Sequence, residues 1–231
     1  MKILGLQKLT LLDFKGTVAC TVFTGGCNFR CPFCHNAGLV SLEIEGEEFS
    51  SDEVLSFLEK RQGILEGVVV TGGEPLLHHD IGDFLEKVKE LGFKVKIDTN
   101  GTNPTLLREL IERGLVDRVA MDIKSSPEGY ERAVGRAVSL DPIKESIELL
   151  LSGVVDYEFR TTVVRGIHEK EDFEKIGHWI KGAREYYIQQ FKDSGNLINP
   201  ENLASFNEDE LKAFADIVRK YVPSVQIRGI D

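Results

Sequence analysis

Between Thr17 and Thr24 the chain alternates, with Val18, Cys20 and Val22 set against Thr17, Ala19, Thr21 and Phe23. A period of two predicts a strand. Residues 3–12 before it are apolar with a few polar breaks, and Asp13-Phe14-Lys15-Gly16 reads as a turn. Downstream the period lengthens. Ser50 and Glu53 have capping-box spacing ahead of Val54, Leu55, Phe57 and Leu58, which predicts a helix. Gly67-Val68-Val69-Val70-Thr71 is a continuous apolar run, the mark of a strand covered on both faces. A helix carrying Ile81, Phe84, Leu85, Val88 and Leu91 stops at Gly92, and Phe93, Val95 and Ile97 form the next strand. Asn103-Pro104 and Asp141-Pro142 each read as an N-cap followed by a first turn. Strands at about 116–121, 155–164, 186–189 and 225–227, and helices around 173–180 and from Asn207 to about Tyr221, complete the pattern.

Strand–helix alternation repeated about six times predicts an α/β fold with a parallel sheet and right-handed crossovers. No change of composition marks a linker, so residues 1–231 are expected to form a single domain. The punctuating residues recur at one place, just after the C-terminal end of a strand, where parallel α/β folds keep their active sites. On the strand 157–164, Glu158, Arg160 and Thr162 share one face, which suits an open barrel with a polar, ligand-lined interior.

The densest chemistry lies in Cys27-Asn28-Phe29-Arg30-Cys31-Pro32-Phe33-Cys34, a C-x3-C-x2-C loop holding three of the four cysteines. Three thiolates on one loop can converge on a soft metal centre, and both iron–sulfur clusters and zinc accept them. A structural zinc site wants four protein ligands. Here Cys20 sits on a strand and is expected to be a buried apolar side chain, while His35 follows Cys34 too closely. A four-iron cluster held by three thiolates leaves one iron open for substrate. The spacing therefore favours iron–sulfur while leaving zinc open, and three crowded cysteines without a secretory signal argue against a disulfide.

Composition adds limits. The chain is 42% hydrophobic and 29% charged, and its formal net charge of −10 argues against a nucleic-acid footprint. No apolar run reaches the length of a membrane span and MKILGLQKLT lacks a signal-peptide pattern, so a cytoplasmic location is expected. Glu43, Glu45, Glu47 and Glu48 read as a solvated acidic loop, with partner contact as the alternative. His78, His79, His168 and His178 read as ordinary surface or helix-start histidines.

The cysteine loop, with Phe33 just before its last cysteine, resembles that of radical S-adenosylmethionine (SAM) enzymes. The run 23–36 is similar to the activases of glycyl radical enzymes. Gly72-Gly73-Glu74-Pro75, Asp98-Thr99-Asn100-Gly101, Met121-Asp122-Ile123-Lys124, Glu158 to Val164 and Gln189-Gln190-Phe191 follow in that family's order. The last two match best the long form of the anaerobic ribonucleoside-triphosphate reductase activating protein. The resemblance implies a partial (β/α)6 TIM-like open barrel as a single radical SAM domain. Cys27, Cys31 and Cys34 would hold a [4Fe–4S] cluster whose fourth iron binds SAM. Phe33 would lie at the adenine and Gly72, Gly73 and Glu74 at the amino group. Asp98, Thr99, Asn100, Asp122, Lys124, Arg160 and Gln189 would complete the SAM site, with a monovalent cation possible at Asp98, Thr99, Met121 and Asp122. No catalytic residue beyond these cluster and SAM ligands is implied. The implied reaction is reductive cleavage of SAM to a 5′-deoxyadenosyl radical that installs a glycyl radical on anaerobic ribonucleotide reductase. An external flavodoxin or ferredoxin would supply the electron, since no second cysteine cluster exists. The alternatives are an activase of pyruvate formate-lyase or another glycyl radical enzyme, a small-molecule enzyme such as 7-carboxy-7-deazaguanine synthase, and a non-catalytic zinc module.

Overall fold

The computed structural model describes residues 1–41 and 48–230. Of the acidic loop, Glu43, Glu45 and Glu47 lie outside the described residues, and Glu48 is exposed. Strands β1 (Ile3–Thr10), β2 (Ala19–Thr24), β3 (Gly67–Gly72), β4 (Lys94–Thr99), β5 (Arg118–Asp122), β6 (Asp156–Val163), β7 (Tyr186–Gln190) and β8 (Val225–Arg228) alternate with helices. These are α1 (Ser51–Glu59), α2 (Ile81–Glu90), α3 (Pro104–Glu112), α4 (Tyr130–Val134), α5 (Asp141–Leu151), α6 (Lys170–Trp179) and α7 (Glu208–Val218). The alternation read from periodicity is therefore present. The chain gathers into two compact units. One contains Met1–Asn28, Gly38–Ala120 and Val154–Asp156; the other contains Phe29–Ala37, Met121–Gly153 and Tyr157–Asp231.

In the first unit β2, β3 and β4 are parallel, with Val22 opposite Val70 and Val70 opposite Ile97. β1 departs from the expected parallel sheet, running antiparallel to β2 with Leu6 opposite Val22. The segment 3–12 lacks clean alternation because its register against β2 shifts between Ile3 and Gly5 and again between Gln7 and Thr10. Val68, Val69 and Val70 are fully buried, as a strand covered on both faces should be. The Ser50–Glu53 capping box forms, and the Asn103 side chain accepts from the Leu106 N–H with Pro104 in the first turn of α3. Helix α2 ends into Gly92, which takes the left-handed φ of +88°.

In the second unit β6, β7 and β8 are parallel, with Thr162 opposite Gln189 and Gln189 opposite Arg228. Helices α6 and α7 pack through Phe173 and Phe214, whose rings stack at 4.3 Å. On β6, Arg160 pairs with Asp122 and Glu158 with Arg228. Two local expectations change here. Asp141 is the first residue of α5 rather than its cap, because the Ser139 hydroxyl meets its N–H and Pro142 suits the first turn. His168, expected at the surface, is buried. Among the described residues no helix is long and apolar enough to cross a membrane.

Candidate functional site

In the first unit the loops after β2, β3 and β4 are joined by their own polar groups. Gly72 has φ +113°, and a Cβ on it would sit 2.5 Å from the Thr24 backbone; one on Gly73 would sit 2.0 Å from the Gly26 carbonyl oxygen. The two glycines thus let the end of β3 lie against the end of β2. Gly73 N–H donates to Thr24 (2.8 Å) and Glu74 N–H to Gly26 (2.8 Å). The Glu74 side chain is 1% exposed. Its Oε1 accepts from the Thr99 hydroxyl (2.7 Å) and the Leu76 N–H (3.1 Å), and its Oε2 from the Asn100 N–H (2.7 Å). Glu74 therefore ties the loop after β3 to the loop after β4.

Asn100 extends this network to the residue beside Cys27. Its Nδ2 donates to Asn28 Oδ1 (2.8 Å), the Asn28 amide donates to Thr102 Oγ1 (2.8 Å), and the Thr102 hydroxyl donates to Asn100 Oδ1 (2.7 Å). Asn28 and Thr102 escaped the sequence reading; the only signal for them was adjacency to Cys27 and to Asn100-Gly101. Cys27 itself is held by its N–H on the Val40 carbonyl at 3.0 Å. Asp98 pairs with Lys96 at 2.7 Å, so its carboxylate already has a cation, and Lys96 is 3% exposed. Gly72, Gly73, Glu74, Thr99 and Asn100 are thus joined to Asn28 beside Cys27, while Asp98 lies in the same unit with its carboxylate on Lys96.

The second unit holds Cys31, Phe33 and Cys34. Their loop is tied down from several sides. Arg30 N–H donates to Val134 (2.9 Å), Asn199 N–H to Pro32 (3.0 Å), and the His35 ring stacks on Phe191 at 5.7 Å. Cys31 and Cys34 carry free thiols, as do Cys27 and Cys20. Burial pushes the Cys34 thiol up, and Lys124 partly offsets this. Burial pushes Cys20 up to about 12, so it stays a neutral apolar filler as expected.

Asp122 sits between two cations. Lys124 Nζ donates to its Oδ2 at 2.7 Å, and Arg160 Nε donates to its Oδ1. Burial alone would raise the Asp122 carboxyl, but Arg160 and Lys124 outweigh it and hold the carboxyl well below the usual carboxylate range. Burial likewise opposes the Lys124 ammonium, yet Asp122, Cys31 and Cys34 together hold its pKa above the ordinary lysine value. Lys124 thus brings a positive charge within electrostatic reach of Cys31 and Cys34. Glu158 has its own partner in Arg228, with bonds of 3.0 and 3.2 Å, and Arg228 lies 3.3 Å over the Tyr187 ring. Gln189 follows Tyr187 by two residues on the same strand face, beside Thr162 and Arg228 in register. The face expected to be polar is polar, and its charges are paired.

Phe33 is buried with its ring edge-on to His168 at 6.2 Å. His168 is 3% exposed; its Nδ1 accepts from the Val164 N–H (3.0 Å) and its Nε2–H donates to the Lys124 carbonyl (2.8 Å). That pair of partners sets the neutral Nε2–H tautomer. Burial pushes the His168 pKa down, consistent with a neutral ring. His168 is therefore a positioning residue for Phe33 and Lys124. Nothing in its sequence neighbourhood signalled this, because both partners come from elsewhere in the fold.

Among the described residues no three His, Cys, Asp or Glu side chains form a group able to hold one metal ion. The residues fit an iron–sulfur centre better. The cysteines of the loop are free thiols, the Lys124 ammonium is within electrostatic reach of Cys31 and Cys34, and the buried Tyr130 hydroxyl, within reach of Cys31, has no acceptor among the described residues.

Comparison with known proteins agrees. A protein of Methanocaldococcus jannaschii named as a glycyl-radical enzyme activating enzyme is 34% identical over 236 residues, covering 98% of this chain and 95% of that protein. The pyruvate formate-lyase-activating enzyme of Clostridium pasteurianum is 28% identical, covering 79% of this chain and 77% of that enzyme. The crystal structure of Streptococcus suis SuiB bound to S-adenosylmethionine superposes with a TM-score of 0.69 at 14% identity, covering 89% of this chain and 49% of that one. The fold is thereby the expected α/β type, a partial TIM-like barrel. The family model described as the radical SAM superfamily matches residues 21–180. This chain belongs to the radical SAM superfamily, whose cofactors are a [4Fe–4S] cluster and S-adenosylmethionine.

Proposed function

We propose that this chain is an activase that installs a glycyl radical on anaerobic ribonucleoside-triphosphate reductase. The observation that carries the activase reading is the end-to-end likeness, over 98% of the chain, to a protein named as a glycyl-radical enzyme activating enzyme. Gln189, where pyruvate formate-lyase activases resemble one another in carrying a histidine, favours the reductase as partner.

In this reading residues 1–231 act as a single radical SAM domain in the cytoplasm, and Cys27, Cys31 and Cys34 hold the cluster. When bound, the cluster and SAM supply one-electron cleavage of a sulfonium and hence a hydrogen-abstracting carbon radical. The chain's own residues bind and orient. Lys124 and Arg160, with Asp122 cancelling one of their two charges, offer a net positive site to a carboxylate. Glu74 acts on SAM by fixing Thr99 and Asn100 rather than by presenting a spare carboxylate. Phe33, held edge-on by His168, offers an apolar surface to a base. Gly72 and Gly73 set the backbone of the loop that would take the amino group, and Asp98 and Gln189 line the remainder. A monovalent cation at Asp98, Thr99, Met121 and Asp122 belongs to the same reading. An external flavodoxin or ferredoxin delivers the electron, and no nucleic acid or membrane partner is involved.

The test is anaerobic reconstitution with iron and sulfide, followed by reduction in the presence of SAM and assay for 5′-deoxyadenosine. It is run with and without the reductase, which is read by electron paramagnetic resonance. A glycyl radical on the reductase is the expected result. Cleavage without that radical would move the target to another glycyl radical enzyme or to a small molecule.

A further inference from the structure

Tyr130, the first residue of α4, is a large buried polar side chain of the second unit that the reading above leaves without a task. It is fully buried, and its hydroxyl finds no acceptor among the described residues. Buried hydroxyls are almost always paired, and leaving one unpaired is costly. Burial keeps the phenol well above its ordinary pKa, so the hydroxyl retains its proton; the Lys124 backbone amide, which acts on the oxygen, can only donate to it. The O–H proton is therefore unspent.

Backbone contacts of α4 and ring contacts of Tyr130 hold this side chain beside the cysteine loop. The Arg30 N–H donates to the carbonyl of Val134, the last residue of α4, at 2.9 Å. Gly135 caps α4 with φ +70°, and a Cβ there would lie 2.3 Å from the Arg30 carbonyl oxygen, so helix end and loop are in backbone contact. The Tyr130 ring meets Phe29 edge-on at 6.4 Å and Trp179 at 5.7 Å, which fixes its direction. Residues 29 and 30 lead directly into Cys31, and the phenol is within electrostatic reach of the Cys31 sulfur.

We propose that the Tyr130 hydroxyl is a hydrogen-bond donor to sulfur on the Cys31 side of the iron–sulfur centre and raises that centre's reduction potential. The proposal rests on the reading that Cys27, Cys31 and Cys34 hold the centre. Hydrogen bonds to the sulfurs help to set the potential of such clusters. A donor stabilises the reduced, more negative form more than the oxidised form, so its removal lowers the potential. The same hydroxyl burdens the empty protein, where it has no acceptor.

The test compares wild type with Tyr130→Phe, which removes one oxygen and keeps the ring. Both are reconstituted anaerobically, matched for iron and sulfide, and titrated by electron paramagnetic resonance without SAM. The expected result is a reduction equilibrium shifted about tenfold toward the oxidised form in the variant, or about 59 mV for a one-electron couple. The metal-free variant is expected to melt at a higher temperature than the metal-free wild type. Equal potentials in equally loaded chains would overturn the proposal. So would a lower melting temperature of the metal-free variant, since the hydroxyl would then have a partner inside the protein. A shift seen only with SAM present would assign the donor to SAM and overturn the sulfur assignment. Should the variant take up no iron, the wild type decides alone. A single exchangeable deuteron coupled to the reduced centre supports the proposal, and none overturns it. A wild type that forms no cluster would instead sink the reading on which the proposal rests.

Discussion

Single residues here owe their roles to partners far along the chain. Glu74 accepts from Leu76, Thr99 and Asn100, and a glutamine would present an amide to one or more of those donors. Glu74→Gln is expected to cost about 1–3 kcal/mol in urea unfolding of the metal-free chain and to raise the KM for SAM, because Thr99 and Asn100 lose their common anchor. His168 makes a prediction in pH. Its folded pKa lies below the ordinary value of about 6.5, so the unfolded chain binds the proton more readily. Its stabilising contribution is complete above about pH 6.5 and falls as the pH drops below that value toward the folded pKa. His78, also pushed down by burial, adds in the same direction. A His168→Gln chain should show a shallower loss of stability between about pH 6.5 and 5 in chemical denaturation, the remaining slope belonging to His78 and the carboxylates. Both roles were invisible in the sequence, where His168 resembles any histidine near a helix start.

At the scale of elements, the adjoining ends of β5 and β6 carry Asp122, Lys124 and Arg160 as one charge cluster. Removing the central carboxylate leaves two cations facing each other. The group is about one-fifth exposed, so Asp122→Asn should cost less than the about 3–5 kcal/mol of breaking a fully buried pair. Because the carboxyl is held below its ordinary value of about 3.9, wild type should lose this contribution only as pH falls below about 4, and the variant should lack that acid-side slope in urea titrations. Arg160→Met should raise the KM for SAM about tenfold or more while changing kcat less, if its cation meets the substrate's carboxylate. The strand that places Arg160 was readable from its period of two. That Asp122 pairs with it was not, because cross-strand pairing depends on register between segments 38 residues apart.

For the molecule as a whole, the family assignment places the chemistry in its cofactors and leaves positioning to the chain. Cys31→Ala is expected to abolish the cluster's visible absorbance and 5′-deoxyadenosine formation together, with iron content falling in proportion and far-ultraviolet circular dichroism retained. Normal SAM cleavage by that variant would refute the placement of the cluster. Cys20→Ala, by contrast, should leave iron loading unchanged, since Cys20 is a fully buried filler of β2.

The sequence alone determined the strand–helix alternation, the cysteine spacing and the family. All three are local: periodicity and spacing act over a few residues, and elementary sterics translate them directly into strands, helices and loops. It marked Gly72, Gly73 and Glu74 as special without saying why. Only the tertiary structure decided that the glycines make room for the chain's own backbone, and that Glu74 clamps two loops. It also decided that Asp122 is shared by two cations and that His168 and Tyr130 are buried beside the cysteine loop. Those outcomes depend on which segments meet after folding. Contacts over tens of residues leave no periodic trace, because any polar side chain with the right reach could have filled the same place.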